Sequence, residues 1–383
     1  MRNSKLARVG IALLSSIFLL TTWATAQAST PADAITLEQE GDLADAAEVW
    51  RKVIRKNPND AAALASLGVV LSKEQEYQEA ASAYRKAIAL NPKLPGVQLN
   101  LGLAEFKQGH FQVAIAPLRA AAAGDPNNRQ AFTLLGLSCY GAKRFKEASN
   151  YLKVAARFDP TNAELHKVLA QSCLWAKQYS CALDEFHLIL QQNPDSAAAH
   201  MLSGEALDGL NKTLEAIAEF EAAAKVSPRE PNVHFGLGYL YWKLHEYDEA
   251  KLQFDSELSI DSNHPLALTY LGDIAMKNNN PDEALALLRK AVEMKGDIRI
   301  AYVDLGAVLT QQKRYGEAIT ALRRAVALDP TQPDVHYRLG RVYRAMGNAK
   351  ESNKEFAKVR ELHEKENESL ASKMSTAPPP LPQ

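Results

Sequence analysis

The sequence predicts an all-α solenoid of about ten stacked helix-turn-helix repeats, each 34 residues long. Three ladders in one register predict it. Prolines following Asn, Asp or Ser stand at Pro58, Pro92, Pro126, Pro160, Pro194 and Pro228, and the same step passes Ser262 and Gly296 to reach Pro330. Small residues recur at Gly68, Gly102, Gly136, Ala170, Gly204, Gly238, Gly272, Gly306 and Gly340, and again from Ala46 and Ala80 through Ala318, closing on Ser352. Bulky residues keep the same period from Trp50 and Tyr84 through Phe186, Phe220 and Phe254 to Phe356. A fixed period over this length marks a repeat architecture without insertions.

Taken in chain order, residues 1–28 read as an export signal. Arg2, Lys5 and Arg8 precede an apolar run from Val9 to Leu20, and Ala24-Thr25-Ala26 and Ala26-Gln27-Ala28 both offer small residues at cleavage spacing. Cleavage places the mature protein in the periplasm or outside the cell. It removes three basic and no acidic residues, taking the net charge from −1 to −4. Beyond that segment no stretch of about 18 apolar residues occurs, so no stable membrane insertion is expected after cleavage.

The repeats follow at 29–60, 61–94, 95–128, 129–162, 163–196, 197–230, 231–264, 265–298, 299–332 and 333–366. In the second, Leu64, Leu67, Val70 and Leu71 have helical spacing, Lys73 to Glu76 form a polar break, and Tyr77, Ala80, Ala81, Tyr84, Ala87 and Ile88 resume it. Two amphipathic helices result, and Asn91-Pro92 ends the second. Mid-helix glycine costs about 1 kcal/mol against alanine, so the Gly ladder needs a packing reason. Paired helices approach closely at the small steps, and the bulky step fills the space beside them. Several departures stand out. Glu105 and Glu257 occupy apolar or small steps and are expected to be solvated or locally paired, and Pro117 is expected to kink its helix. Repeats 7 and 8 lack the closing proline. Residues 367–383 read as a polar, proline-rich disordered tail.

These ladders resemble the tetratricopeptide repeat (TPR) family, which places small residues at steps 8 and 20, an aromatic or leucine at 24 and proline at 32. The resemblance covers residues 30–366. It implies a right-handed superhelix, with the first helix of each pair lining a concave face. It further implies a non-enzymatic scaffold that binds proteins or peptides.

No constellation for chemistry competes with that reading. Gly136-Leu-Ser-Cys-Tyr-Gly141 misplaces the second glycine of a nucleophile elbow, and Gly236-Leu-Gly238 lacks the third glycine of a dinucleotide loop. With every helix used by the repeat, no segment remains for a catalytic domain, and no cofactor is expected. Near-balanced charge gives no footprint for nucleic acid. His166, His200, His234 and His336 share step 4, but stacked helices lie about 8–10 Å apart, too far for three collinear imidazoles to share one ion. They are expected to be partly buried stacking residues, with no metal. Cys173 and Cys181 lie nearly symmetrically about a turn near Ala176-Lys177-Gln178. Two readings stand: a bridge between them, which an oxidising compartment permits, or three buried small hydrophobes with Cys139.

By the resemblance, steps 2, 5, 9, 12 and 13 of each first helix face the groove. They carry Leu99, Leu103, Phe106, Tyr140, Trp175, Phe235, Tyr239, Trp242 and Tyr337. In a chain with only 7% aromatic residues, this concentration reads as a partner-binding patch, or in part as side chains buried into the neighbouring repeat. The expected function is a cell-envelope scaffold holding a peptide or partner protein in an aromatic-lined concave groove, for envelope assembly, secretion or polysaccharide export. The alternative is a bridging subunit of a larger complex that uses its convex surface.

Overall fold

The computed structural model describes residues 30–375, with side chains through residue 368. The signal segment assigned to residues 1–28 and residues 376–383 of the tail lie outside the described residues. The regular structure of the described residues is helical throughout, twenty helices numbered α1 to α20 in chain order. Second helices begin at Leu43, Tyr77, Phe111, Phe145, Tyr179, Thr213, Tyr247, Pro281, Tyr315 and Ala349, a constant step of 34 residues. The chain is an all-α helical-repeat solenoid divided into two compact units, Met1–Ala142 and Lys143–Gln383.

The ladders explain how the helices touch. Every residue of the step-20 ladder from Ala46 to Ala318 is completely buried. The step-24 side chain of the second helix lies directly over the step-8 glycine of the first. A Cβ at Gly238 would fall 2.7 Å from the Phe254 ring, and one at Gly340 would fall 2.8 Å from the Phe356 ring. Both distances are closer than packed atoms tolerate, so glycine is required by close approach rather than by backbone conformation. Tyr84, Leu118, Leu152, Phe186, Phe254, Leu288 and Leu322 fill these seams and are almost wholly buried. Removing such a side chain would leave a cavity costing about 3–5 kcal/mol for an aromatic residue.

Each hairpin turns through one left-handed residue. Gln75, Lys177, Asn211, His245, Asn279 and Lys313 hold φ between 55° and 66°, while glycine serves at Gly109 and Gly347. The next residue donates back five positions, as Glu76 N–H to Leu71 C=O at 2.9 Å and Arg314 N–H to Leu309 C=O at 2.8 Å. These bonds satisfy carbonyls that the helix end leaves open.

Two first helices start late. Helix α5 (Val97–Lys107) and helix α13 (Val233–Lys243) each have 11 residues, because Pro95-Gly96 and Pro231-Asn232 precede them in a left-handed turn. Neither has a side-chain cap from its own N-cap residue.

Of the two readings for the glutamates, solvated or locally paired, the second holds: Glu257, in α14 (Tyr247–Ile260), is 1% exposed. Its carboxylate accepts from Asn232 N–H at 2.8 Å and Phe235 N–H at 3.1 Å, capping the otherwise uncapped α13. A carboxylate suits this place because helix N-termini present free N–H groups and a positive dipole end. Glu105 in α5 is equally buried, bonded to the Arg85 guanidinium and to His110 Nδ1 at 3.0 Å. The tail set to begin at 367 starts inside α20 (Ala349–Ser375). Glu, Lys, Leu, Ala and Met dominate residues 361–375, and no glycine or proline interrupts them before Pro378, so helix propensity carries the helix past the repeat boundary. Pro117 is buried within α6 (Phe111–Gly124), which runs continuously past it.

Candidate functional site

In the N-terminal unit, Leu99, Leu103 and Phe106 of α5 and Tyr140 of α7 (Arg129–Gly141) are all half-buried. Phe106 packs edge-on against Phe111, ring centroids 5.5 Å apart. Leu99 lines a cavity of about 570 Å³ beside the α5 N-terminus. These positions are partly occupied by packing within the unit.

The C-terminal unit holds the denser arrangement. Phe235, Tyr239 and Trp242 stand at spacings of four and three on α13 and share one side of it. They meet Tyr270 of α15 (Pro265–Lys277), which lies 6.0 Å from Phe235, 5.8 Å from Tyr239 and 5.0 Å from Trp242 between ring centroids. Trp242 Nε1–H donates to Asp273 Oδ2 at 2.7 Å. Trp242 is therefore half-buried and anchored to the next repeat, not the freely exposed groove residue that its register implies. Tyr270 escapes a step-based reading because it falls at step 6, and only the neighbouring repeat turns it into the centre of the cluster.

On the other side of α13, a cavity of about 370 Å³ opens toward α11 (Ala197–Gly209). Met201, Phe220, Phe235 and Tyr239 form its apolar wall, with Glu205 and Asp208 at the polar edge. Lys243 pairs with Asp208 at 2.7 Å. Phe235 and Tyr239 thus border both the cavity and the aromatic cluster.

The acidic side of the cluster is electrostatically loaded. Asp304 of α17 (Arg299–Gln311) is pushed up to about 7 by burial and then by the adjacent Asp273, against the pull of Arg338, Lys277 and Arg299. The Tyr270 hydroxyl is pushed up to about 12, mainly by burial, with Tyr239, Asp304 and Asp273 adding to the effect.

The two remaining aromatics of the patch stand apart from this cluster. Trp175, at the end of α9 (Ala163–Trp175), is 49% exposed, with its ring 4.8 Å from Phe145. Tyr337, in α19 (Pro333–Ala345), is 50% exposed and lies 5.8 Å from Phe356.

The step-4 histidines have a structural explanation. Nδ1 of His166, His200 and His336 faces Glu185, Glu219 and Glu355 at 2.5, 2.7 and 2.6 Å, and that of His234 faces Gln253 at 2.7 Å. Nε2 of the first two and of His234 donates to the carbonyls of Pro160, Pro194 and Pro228 at 3.0 Å. The rings of His166, His200 and His234 thus staple their hairpins to the loop before them, whereas His336 is held through Nδ1 and its buried Nε2 has no partner among the described residues. Among the described residues, no group of three or more His, Cys, Asp or Glu is arranged to hold a metal ion. Cys173 and Cys181 are joined by a disulfide across the turn between α9 and α10 (Tyr179–Gln192), with Cα atoms 5.8 Å apart, and Cys139 is a buried thiol outside that bridge.

Comparison with known proteins agrees with this geometry. Tetratricopeptide repeat profiles match residues 32–95, 99–163, 204–265 and 271–333, and a second profile of the same repeat matches 140–206 and 309–374. No curated protein matches the sequence. Among solved structures, the chain is similar to YrrB, titled a TPR protein with an unusual peptide-binding site (22% identity, TM-score 0.39, 49% of this chain and 97% of that one). It is also similar to yeast Tom70 (14% identity, TM-score 0.43, 87% and 91%), and to a tetratricopeptide repeat protein from Parabacteroides merdae (17% identity, TM-score 0.44, 65% and 98%). Register, seam packing and profile matches over most of its length together place the chain in the tetratricopeptide repeat family.

Proposed function

We propose that this chain is a non-enzymatic protein–protein interaction scaffold of the cell envelope. It holds a peptide or partner segment along the first helices of its C-terminal unit. One observation carries the reading: Phe235 and Tyr239 wall an open cavity of about 370 Å³ while Tyr270 and the Trp242–Asp273 bond fix the rings from behind. Aromatic side chains held rigid at a cavity edge lose little entropy on binding and supply the anchors that dominate interfaces. An apolar side chain of the partner fits the cavity, and Glu205 at its edge favours a neighbouring basic group.

Export is the second part of the proposal. The charged, apolar and small-residue pattern of residues 1–28 supports it, with cleavage after Ala26 or Ala28. The Cys173–Cys181 bridge suits an oxidising compartment. Envelope assembly, secretion and polysaccharide export are the processes such a scaffold serves.

A bridging role for the second helices has its own observation. Leu214 of α12 (Thr213–Val226) is 74% exposed and Leu252 of α14 is 64% exposed, more than any aromatic on the first helices. Affinity purification from envelope fractions tests both readings with two variants, Tyr239→Ala and Leu214→Ser. Loss of the co-purifying protein from Tyr239→Ala alone supports the groove. Loss from Leu214→Ser alone overturns it in favour of the bridging surface.

A further inference from the structure

The last hairpin concentrates positive charge in a way that the near-neutral composition hides. Arg338, Arg341 and Arg344 follow at i, i+3 and i+6 on α19, so they share one side of the helix. Arg341 and Arg344 border a cavity of about 740 Å³ with Arg360 of α20. Its remaining walls include Tyr337, Phe356 and Val359, and no carboxylate lines it.

The arginines are poised rather than neutralised. Arg341 lies over the Tyr337 ring at 6.0 Å and Arg344 over the Phe356 ring at 4.8 Å. Stacking of this kind orients a guanidinium while leaving its N–H edge open to an acceptor. Neighbouring acids are engaged elsewhere: Glu355 with His336, Glu361 with Lys358 and Lys365, and Asp334 with Arg299. Among the described residues, Arg341, Arg344 and Arg360 make no ion pair. Three unpaired guanidiniums around one cavity repel one another, and a ligand carrying negative charge relieves that repulsion.

We propose that this cavity binds an acidic segment of a partner protein, one in which Glu or Asp alternates with apolar residues. The cations fix the first half of that description, since a guanidinium fork matches a carboxylate in two-point geometry. Tyr337, Phe356 and Val359 fix the second half, because they offer apolar surface between the charges. A duplex phosphate backbone would instead need a basic stripe along an extended face. The site does not draw on the Phe235–Tyr270 cluster.

Fluorescence anisotropy with the full chain and a fluorescein-labelled twelve-residue peptide of alternating Glu and Leu tests the proposal, beside a twin peptide with Gln for Glu. The expected result is binding of the Glu peptide that weakens about tenfold in Arg341→Ala/Arg344→Ala, and at least about tenfold weaker binding of the Gln twin, each roughly 1.4 kcal/mol. Arg157→Ala, which removes an exposed arginine of α8 (Phe145–Phe158), leaves this affinity unchanged. Circular dichroism melting reports folding. If the double variant is unfolded, Arg360→Ala, whose side chain stacks on no ring among the described residues, decides the question with a threefold or greater loss. Equal binding of the two peptides, or native affinity in the arginine variants, overturns the proposal. So does arginine-dependent binding of heparin or phosphatidylserine vesicles without binding of the Glu peptide.

Discussion

The indole Nε1–H of Trp242 donates to Asp273 Oδ2 at 2.7 Å, tying α13 of one repeat to α15 of the next. The bond converts a residue whose register points to a groove into part of the seam between repeats. Trp242→Ala is expected to lower stability by about 3 kcal/mol, since it removes a half-buried aromatic as well as the bond. Asp273→Ala removes only the acceptor and should cost about 1 kcal/mol. Chemical denaturation checks both, and a Trp242→Ala change below about 0.5 kcal/mol would show the ring to be surface rather than seam.

Glu257 should behave as a cap. Glu257→Ala leaves the Asn232 and Phe235 N–H groups without their acceptor inside the protein, at about 2–3 kcal/mol. Hydrogen exchange at the first turn of α13 should accelerate in this variant while helices α9 and α10 keep their protection. Unchanged exchange at Phe235 would remove the cap from the account. The same bonds brace repeat 7, which lacks the closing proline.

Asp304 predicts a pH dependence. An unfolded aspartate titrates near 3.9, whereas burial and Asp273 push the folded carboxyl up to about 7. Between pH 4 and pH 7 the folded chain therefore keeps a proton that the unfolded chain releases, so stability falls as pH rises through that window. Asp304→Asn abolishes the titration. It should match the native protein near pH 4 and exceed it by more than about 1 kcal/mol at pH 8, at roughly 1.4 kcal/mol per pK unit. Urea melts at the two pH values give the comparison, and equal stability at pH 8 would refute it.

The disulfide makes a countable prediction. Alkylation of the unreduced, denatured protein should label one cysteine, Cys139, and labelling after reduction should reach three. Closing so short a loop stabilises by about 2 kcal/mol in the chain-entropy treatment, so Cys173→Ser/Cys181→Ser should unfold at correspondingly lower denaturant.

Much of the fold was legible in the sequence because each contact repeats. Gly238 under Phe254 is one instance of a pattern visible nine times, so period alone reveals the pairing of steps 8 and 24. Interactions made once were not legible. The partners of Glu257 are backbone N–H groups freed by Pro231-Asn232, which no side-chain pattern records. Tyr270 lies at step 6, outside the groove steps, and gains its place from Phe235, Tyr239 and Trp242 of the neighbouring repeat. Arg341 and Arg344 occupy groove steps 9 and 12, but a net charge of −1 over the whole chain conceals their local concentration.

Under the proposed function, partner contact runs through the first helices of the C-terminal unit. Site-specific photocrosslinking in intact cells tests it most directly, with the crosslinker placed at Tyr239 in one strain and at Leu214 in another. A discrete protein adduct is expected from Tyr239, abolished by Phe235→Ala, and none from Leu214. A discrete adduct from Leu214 with none from Tyr239 would contradict it.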